Sequence, residues 1–99
     1  MTATLSSTRP VLLPLGRIVA TPGALSALYS ASTPPAALLD RDAAGDWGDV
    51  PPEDAAENRL SVECGFRLLS SYELMTGERL WVLTGADRSA TTLLLPTEY

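Results

Sequence analysis

Four carboxylates and a tryptophan fall within ten residues, GDWGDVPPED from Gly45 to Asp54, and AAEN follows at once. Asp46 and Asp49 in a loop, with Asp54 and Asn58 one helical turn apart on one face, make an oxygen-donor set of the kind that holds a hard cation. If a metal binds, Asp46, Asp49 and Asp54 are the ligands; with Asp87 added, the set would suit a metal-dependent hydrolase. The spacing does not match a calcium loop, which needs acids at alternate positions and a distal bidentate glutamate. The competing reading is architectural: acids at a helix start complement the macrodipole and satisfy free N–H groups, each contributing about 0.3–1 kcal/mol. Trp47 carries too much apolar area to be left in water without cause. It either plugs the core under the second and third helices or anchors a partner.

A second constellation is TGADRSATT, Thr84 to Thr92. On a connection between strands, Arg88 could hold a phosphate or carboxylate while Asp87 orients it. The alternative is a turn closed by the Asp87 and Ser89 side chains, with Arg88 paired to an acid of the third helix. The candidate binding residues are therefore Asp46, Trp47, Asp49, Asp54, Asn58, Asp87 and Arg88. No residue is assigned a catalytic role and no cofactor is expected.

Several chemistries are closed by composition. The chain has no histidine and no G-x-S-x-G elbow, so the familiar nucleophilic triads fail. There is no lysine and no G-x-x-x-x-G-K loop. A single cysteine, Cys64, excludes an intrachain disulfide and a multi-cysteine zinc site, and reads as a small residue at a helix end.

At 99 residues, 45% hydrophobic and 19% charged, the chain has the composition of one ordinary folded domain. Residues 1–10 read as a flexible arm and 11–99 as the domain. The start lacks a basic leader, and VLLPLG is far too short to span a membrane, so a cytoplasmic location is expected. Charge is uneven: Asp40 to Glu63 holds eight acids against Arg41 and Arg59, while the remainder is nearly neutral. No basic stripe tracks a phosphate backbone, so direct nucleic-acid binding is not expected. The acidic face would instead meet a basic protein partner.

The elements that must position these residues follow from start and stop signals. GRIVA is a short strand, and TPGALSALYSA a helix capped by Thr21 with Pro22 in its first turn and a Leu25, Leu28, Tyr29 stripe. STPPAALLDRDAAG repeats the pattern with Thr33 as cap, Leu38 and Leu39 as buried face and Gly45 as stop. A third helix enters at Asp49, Pro51 and Pro52 and runs to about Cys64, where Gly65 ends it. FRLLSSYEL then alternates with Phe66, Leu68, Ser70, Tyr72 and Leu74 on one face, MTGE turns at Gly77, and RLWVLT and TTLLLP complete the strands. The predicted fold is α+β in the order β-ααα-βββ, a mainly antiparallel sheet with helices on one face.

GRIVATPGAL, GDWGD, the ED and EN pairs of PPEDAAEN, RLLSSY, GERLWVLT and DRSATTLLLPTEY, taken in order, resemble a family of small bacterial proteins carried on plasmids and integrated mobile elements. The resemblance covers about Leu15 to Tyr99. Members often have a histidine shortly before GDWGD, where this chain has DRDAA and Asp42. The resemblance implies a setting rather than a reaction, one in which regulators, antitoxins and inhibitors of host defence are frequent; the leading expectation is a non-enzymatic, macromolecule-binding protein that inhibits or modulates a host defence or nucleic-acid-handling complex through the acidic 40–63 face with Trp47, with Arg88 as a second anchor. The alternatives are the metal-dependent hydrolase and a self-associating structural protein, a homodimer included, that uses the apolar last strand as an edge.

Overall fold

The computed structural model describes residues 12–99; the arm expected over 1–10 lies outside them. Elements run β1 (Arg17–Ala20), α1 (Pro22–Ser30), α2 (Pro35–Ala43), α3 (Pro52–Cys64), β2 (Leu68–Glu73), β3 (Arg79–Thr84) and β4 (Ala90–Leu94), ending in a 3-10 turn at Pro96–Glu98. The sheet order is β1-β4-β3-β2. β4 pairs antiparallel with β3 and β3 with β2, whereas β1 joins β4 in parallel. The fold is the α+β arrangement expected. One expectation fails: β4 lies inside the sheet, between β1 and β3, so it offers no edge for self-association.

The register sends alternate residues to opposite faces. Leu68, Ser70 and Tyr72 of β2, Leu80, Val82 and Thr84 of β3, and Thr91 and Leu93 of β4 are buried on the inner face. Ala24, Ala27 and Leu28 from α1, Ala31 at its C-terminal cap and Leu38 from α2 pack there with Tyr72, Leu80, Val82 and Leu93. Small residues let α1 approach the sheet closely. The expected Leu25, Leu28, Tyr29 stripe is therefore wrong in two of three positions: Leu25 is half exposed and Tyr29 is 88% exposed. Thr21 does cap α1, accepting from the Ala24 N–H at 3.0 Å. Thr33 and Asp49 do not cap α2 and α3; Pro34 and Pro51 occupy those places, and the Thr33 hydroxyl donates to Ala31 O instead.

A smaller cluster of Leu13, Trp47 and Leu68 lies towards β2, with Val50, Ala55 and Val62 packed against it. The opposite face of the sheet carries Leu69, Trp81, Leu83, Thr92 and Leu94. Among the described residues no helix covers it fully: Leu69, Trp81 and Leu83 are half-buried, and the Tyr99 ring meets Trp81 edge-on at 5.7 Å between centroids.

Candidate functional site

The GDWGD loop is a cover for the β2 edge. An edge strand presents unpaired N–H and C=O groups that invite another chain. Here Ser71 N–H donates to Trp47 O at 3.1 Å and Asp49 N–H donates to Ser71 O at 2.7 Å, so the loop pairs with β2 for the length of one bridge, Gly48 to Ser71. One residue pair further along, the Asn58 side chain of α3 does the same work. Its Nδ2 donates to Leu69 O at 2.9 Å, and its Oδ1 accepts from Leu69 N–H at 3.3 Å.

The loop is itself pinned. The Asp46 carboxylate takes two N–H groups of the Arg41 guanidinium, at 2.8 and 3.2 Å, and the Gly48 N–H at 3.3 Å, while the Tyr72 hydroxyl donates to Asp46 O at 2.7 Å. Arg41 lies 4.6 Å over the Tyr72 ring. The Asp46 hydrogen bond raises the Arg41 pKa, and burial raises that of the Tyr72 phenol. Gly48 has φ +73°, and a Cβ there would stand 2.1 Å from Ser71 O. Both features of the motif, the glycine and its flanking acids, thus serve one close approach.

The sequence-derived candidates separate accordingly. Trp47 is buried in the cluster with Leu13 and Leu68, the place expected of a core plug. Asp49 is exposed and meets Arg79 at 3.4 Å, and Asp54 is exposed on the first turn of α3. Asn58 is buried and serves β2 rather than a cation. Asp87 accepts from the Ser89 N–H and hydroxyl at 3.0 and 2.8 Å, bonds that hold its pKa low, so it closes a turn as the alternative reading required. Among the described residues no group of three or more His, Cys, Asp or Glu side chains converges as a metal set.

Arg88 departs from both expectations. It pairs with no acid of α3; its Nη2 donates to Ser61 O at 2.8 Å, and its Nη1 donates to Phe66 O at 2.6 Å and Gly85 O at 3.1 Å. Ser61 O, in the last turn of α3, also accepts the Gly65 N–H at 2.9 Å, so Arg88 fills its second acceptor position. Arg88 and the Asp46 loop therefore sit at opposite ends of a helix roughly 20 Å long. Replacing Arg88 with Lys, whose single nitrogen cannot span acceptors served by two guanidinium nitrogens, is expected to cost about 1–2 kcal/mol and to raise hydrogen exchange at Phe66 and Arg67. Chemical denaturation and exchange rates measure both.

Sequence reasoning missed two features. Asp42 is 1% exposed: its Oδ1 accepts from the Ser70 hydroxyl, while Oδ2 has no partner within 3.5 Å among the described residues. Its place four residues after Leu38 on α2 is the signal that would have found it, since both lie on the buried face. Burial pushes its pKa up to about 6, partly offset by the Ser70 and Thr84 hydroxyls. Phe66 does not share one strand face with Leu68, Ser70 and Tyr72, because β2 starts only at Leu68. Gly65 ends α3 in a left-handed turn at φ +80°, leaving Phe66 54% exposed.

Phe66 stands between two hollows. One, about 530 Å³, lies between α3 and β2 with Val50, Leu60, Phe66 and Leu69 as its apolar lining and Asp54 and Glu57 on its wall. The other, about 590 Å³, lies on the open sheet face beside Leu83 and Thr92. Arg67 borders both, donates to the Tyr99 hydroxyl and lies 5.7 Å from that ring. No protein-family model matches the chain, and neither the curated proteins nor the solved structures provide a match. No helix among the described residues is long and apolar enough to cross a membrane.

Proposed function

We propose that this chain is a non-enzymatic protein-binding domain whose contact centre is Phe66. The observation that carries the reading is a large aromatic, more than half exposed, on a backbone held by Arg88 from one side and by the Gly65 cap from the other. A pre-ordered aromatic loses little entropy on binding and is the usual kind of interface hot spot. Around it, Leu60 is 51% exposed and Leu69, Trp81 and Leu83 are half-buried, so apolar area continues onto the uncovered sheet face. Trp47 has no part in this contact, and Arg88 supports it from behind. The acidic surface that remains is narrower than the 40–63 segment: Asp42 is buried, and Asp46 and Asp49 face Arg41 and Arg79. It is the outer side of α3. A modulator of a host complex, as the family resemblance implies, would work through such a surface.

Replacing Phe66 with Ala tests the reading. The variant is expected to keep its stability within about 1 kcal/mol, since the side chain leaves solvent rather than a core. Capture of partners from the native host should fall at least tenfold. Capture equal to wild type would refute the Phe66 centre.

A further inference from the structure

We propose that the hollow between α3 and β2 receives a basic, amphipathic helix of a partner protein. The inference rests on the protein-binding reading above and gives the partner its chemistry.

Three observations converge on that occupant. The hollow is lined by Val50, Leu60, Phe66 and Leu69, and its volume of about 530 Å³ suits several apolar side chains of one segment. Its wall carries Asp54 and Glu57, both exposed and without a basic partner among the described residues. Arg67, the basic group at the hollow, is turned onto Tyr99. α3 as a whole holds Glu53, Asp54, Glu57 and Glu63 against Arg59, and the chain carries a net charge of −5. A second copy would bring the same negative charge to the hollow, so charge complementarity favours a cationic partner.

The backbone decides the form of the segment. A peptide can add to a sheet edge as a strand, or lay a helix into a groove. The β2 edge beside this hollow is already closed, at Leu69 by Asn58 and at Ser71 by Trp47 and Asp49. At Leu69 and Ser71 an added strand would find the edge groups already taken, which favours side-chain insertion. A helix presenting apolar residues at i, i+4 and i+7, flanked by Arg or Lys towards Asp54 and Glu57, meets both the lining and the wall.

The experiment titrates the isotope-labelled full chain with three helical peptides that share one apolar stripe and carry Lys/Arg, Gln or Glu flanks. The basic peptide is expected to shift the amides of Leu60, Phe66 and Leu69 and to bind about tenfold tighter than the Gln peptide at low salt, the gap closing as salt rises. In D54K/E57K the order of basic and acidic peptides should invert, with the far-ultraviolet spectrum unchanged. If the Gln peptide binds as tightly as the basic one in the same place, the charge assignment falls while the groove reading stands. If no peptide moves those amides, the groove proposal falls, while the Phe66 reading stands or falls on capture by the Phe66→Ala variant.

Discussion

Replacing Gly48 with Ala is expected to remove more than about 3 kcal/mol of stability, a large part of the roughly 5–15 kcal/mol that holds a domain of this size. Two costs combine. At φ +73° any L side chain is strained, typically by about 1 kcal/mol for alanine. The larger cost is steric, because the new Cβ would stand 2.1 Å from Ser71 O and 2.7 Å from the Tyr72 ring. Neither neighbour can yield cheaply: Ser71 O accepts the Asp49 N–H, and the Tyr72 hydroxyl is bonded to Asp46 O. The loop must lift from β2, freeing the edge groups of Ser71. Gly77→Ala is the control, since Gly77 has φ +93° but open space around it, so only the smaller cost applies. Urea unfolding of both variants separates the terms, and size-exclusion chromatography should show Gly48→Ala alone self-associating through the opened edge. Equal stability of the two variants would show that the loop does not press on β2.

Asp42→Asn is expected to stabilise the protein at pH 7, against the usual effect of a core substitution. The aspartate is 1% exposed, its Oδ2 has no partner within 3.5 Å among the described residues, and it lies in the last turn of α2 where the helix dipole disfavours negative charge. Its folded-state pKa of about 6 stands above the ordinary 3.8, so the native state binds the proton more tightly than the unfolded chain. Stability from this group is complete below about 4 and is lost as pH rises through 6; the gap corresponds to about 3 kcal/mol. Wild-type stability should therefore increase on acidification from pH 7.5 to 5. Below that, Asp87 and Glu98 work in the opposite sense, because hydrogen bonds from Ser89 and Thr21 hold their pKa values low and that contribution is lost as they protonate. The Asn variant carries the neutral form permanently and should be flat between pH 5 and 7.5. Denaturation at three pH values measures it, and a destabilised, pH-independent Asn variant would mean that the buried charge is compensated.

The two effects show how the opening motif divides. Its acids read in the sequence as ligands or as helix-start charges, and only Glu53 and Asp54 fall in the first turn of α3. Asp46 and Asp49 hold a loop in place, a role that depends on Arg41, Tyr72, Ser71 and Arg79, up to 30 residues away. No local pattern records such partners. Arg88 is similar: the sequence shows a cation in a turn, whereas its three acceptors come from the end of α3, the residue before Arg67 and its own loop.

Sequence alone determined the order and type of the elements, because caps, prolines, glycines and hydrophobic period act over a few residues. Thr21, Pro22, Gly65 and Gly77 do what their chemistry dictates wherever the chain goes. It also settled which nucleophilic and phosphate-loop chemistries are closed, since a residue type that is missing cannot be supplied by folding. Only the tertiary structure decided that β4 is central, that GDWGD guards an edge and that Phe66 is presented to solvent. Those outcomes depend on which strand lies beside which and on where α3 ends relative to β2. Such long-range packing leaves no trace in local spacing.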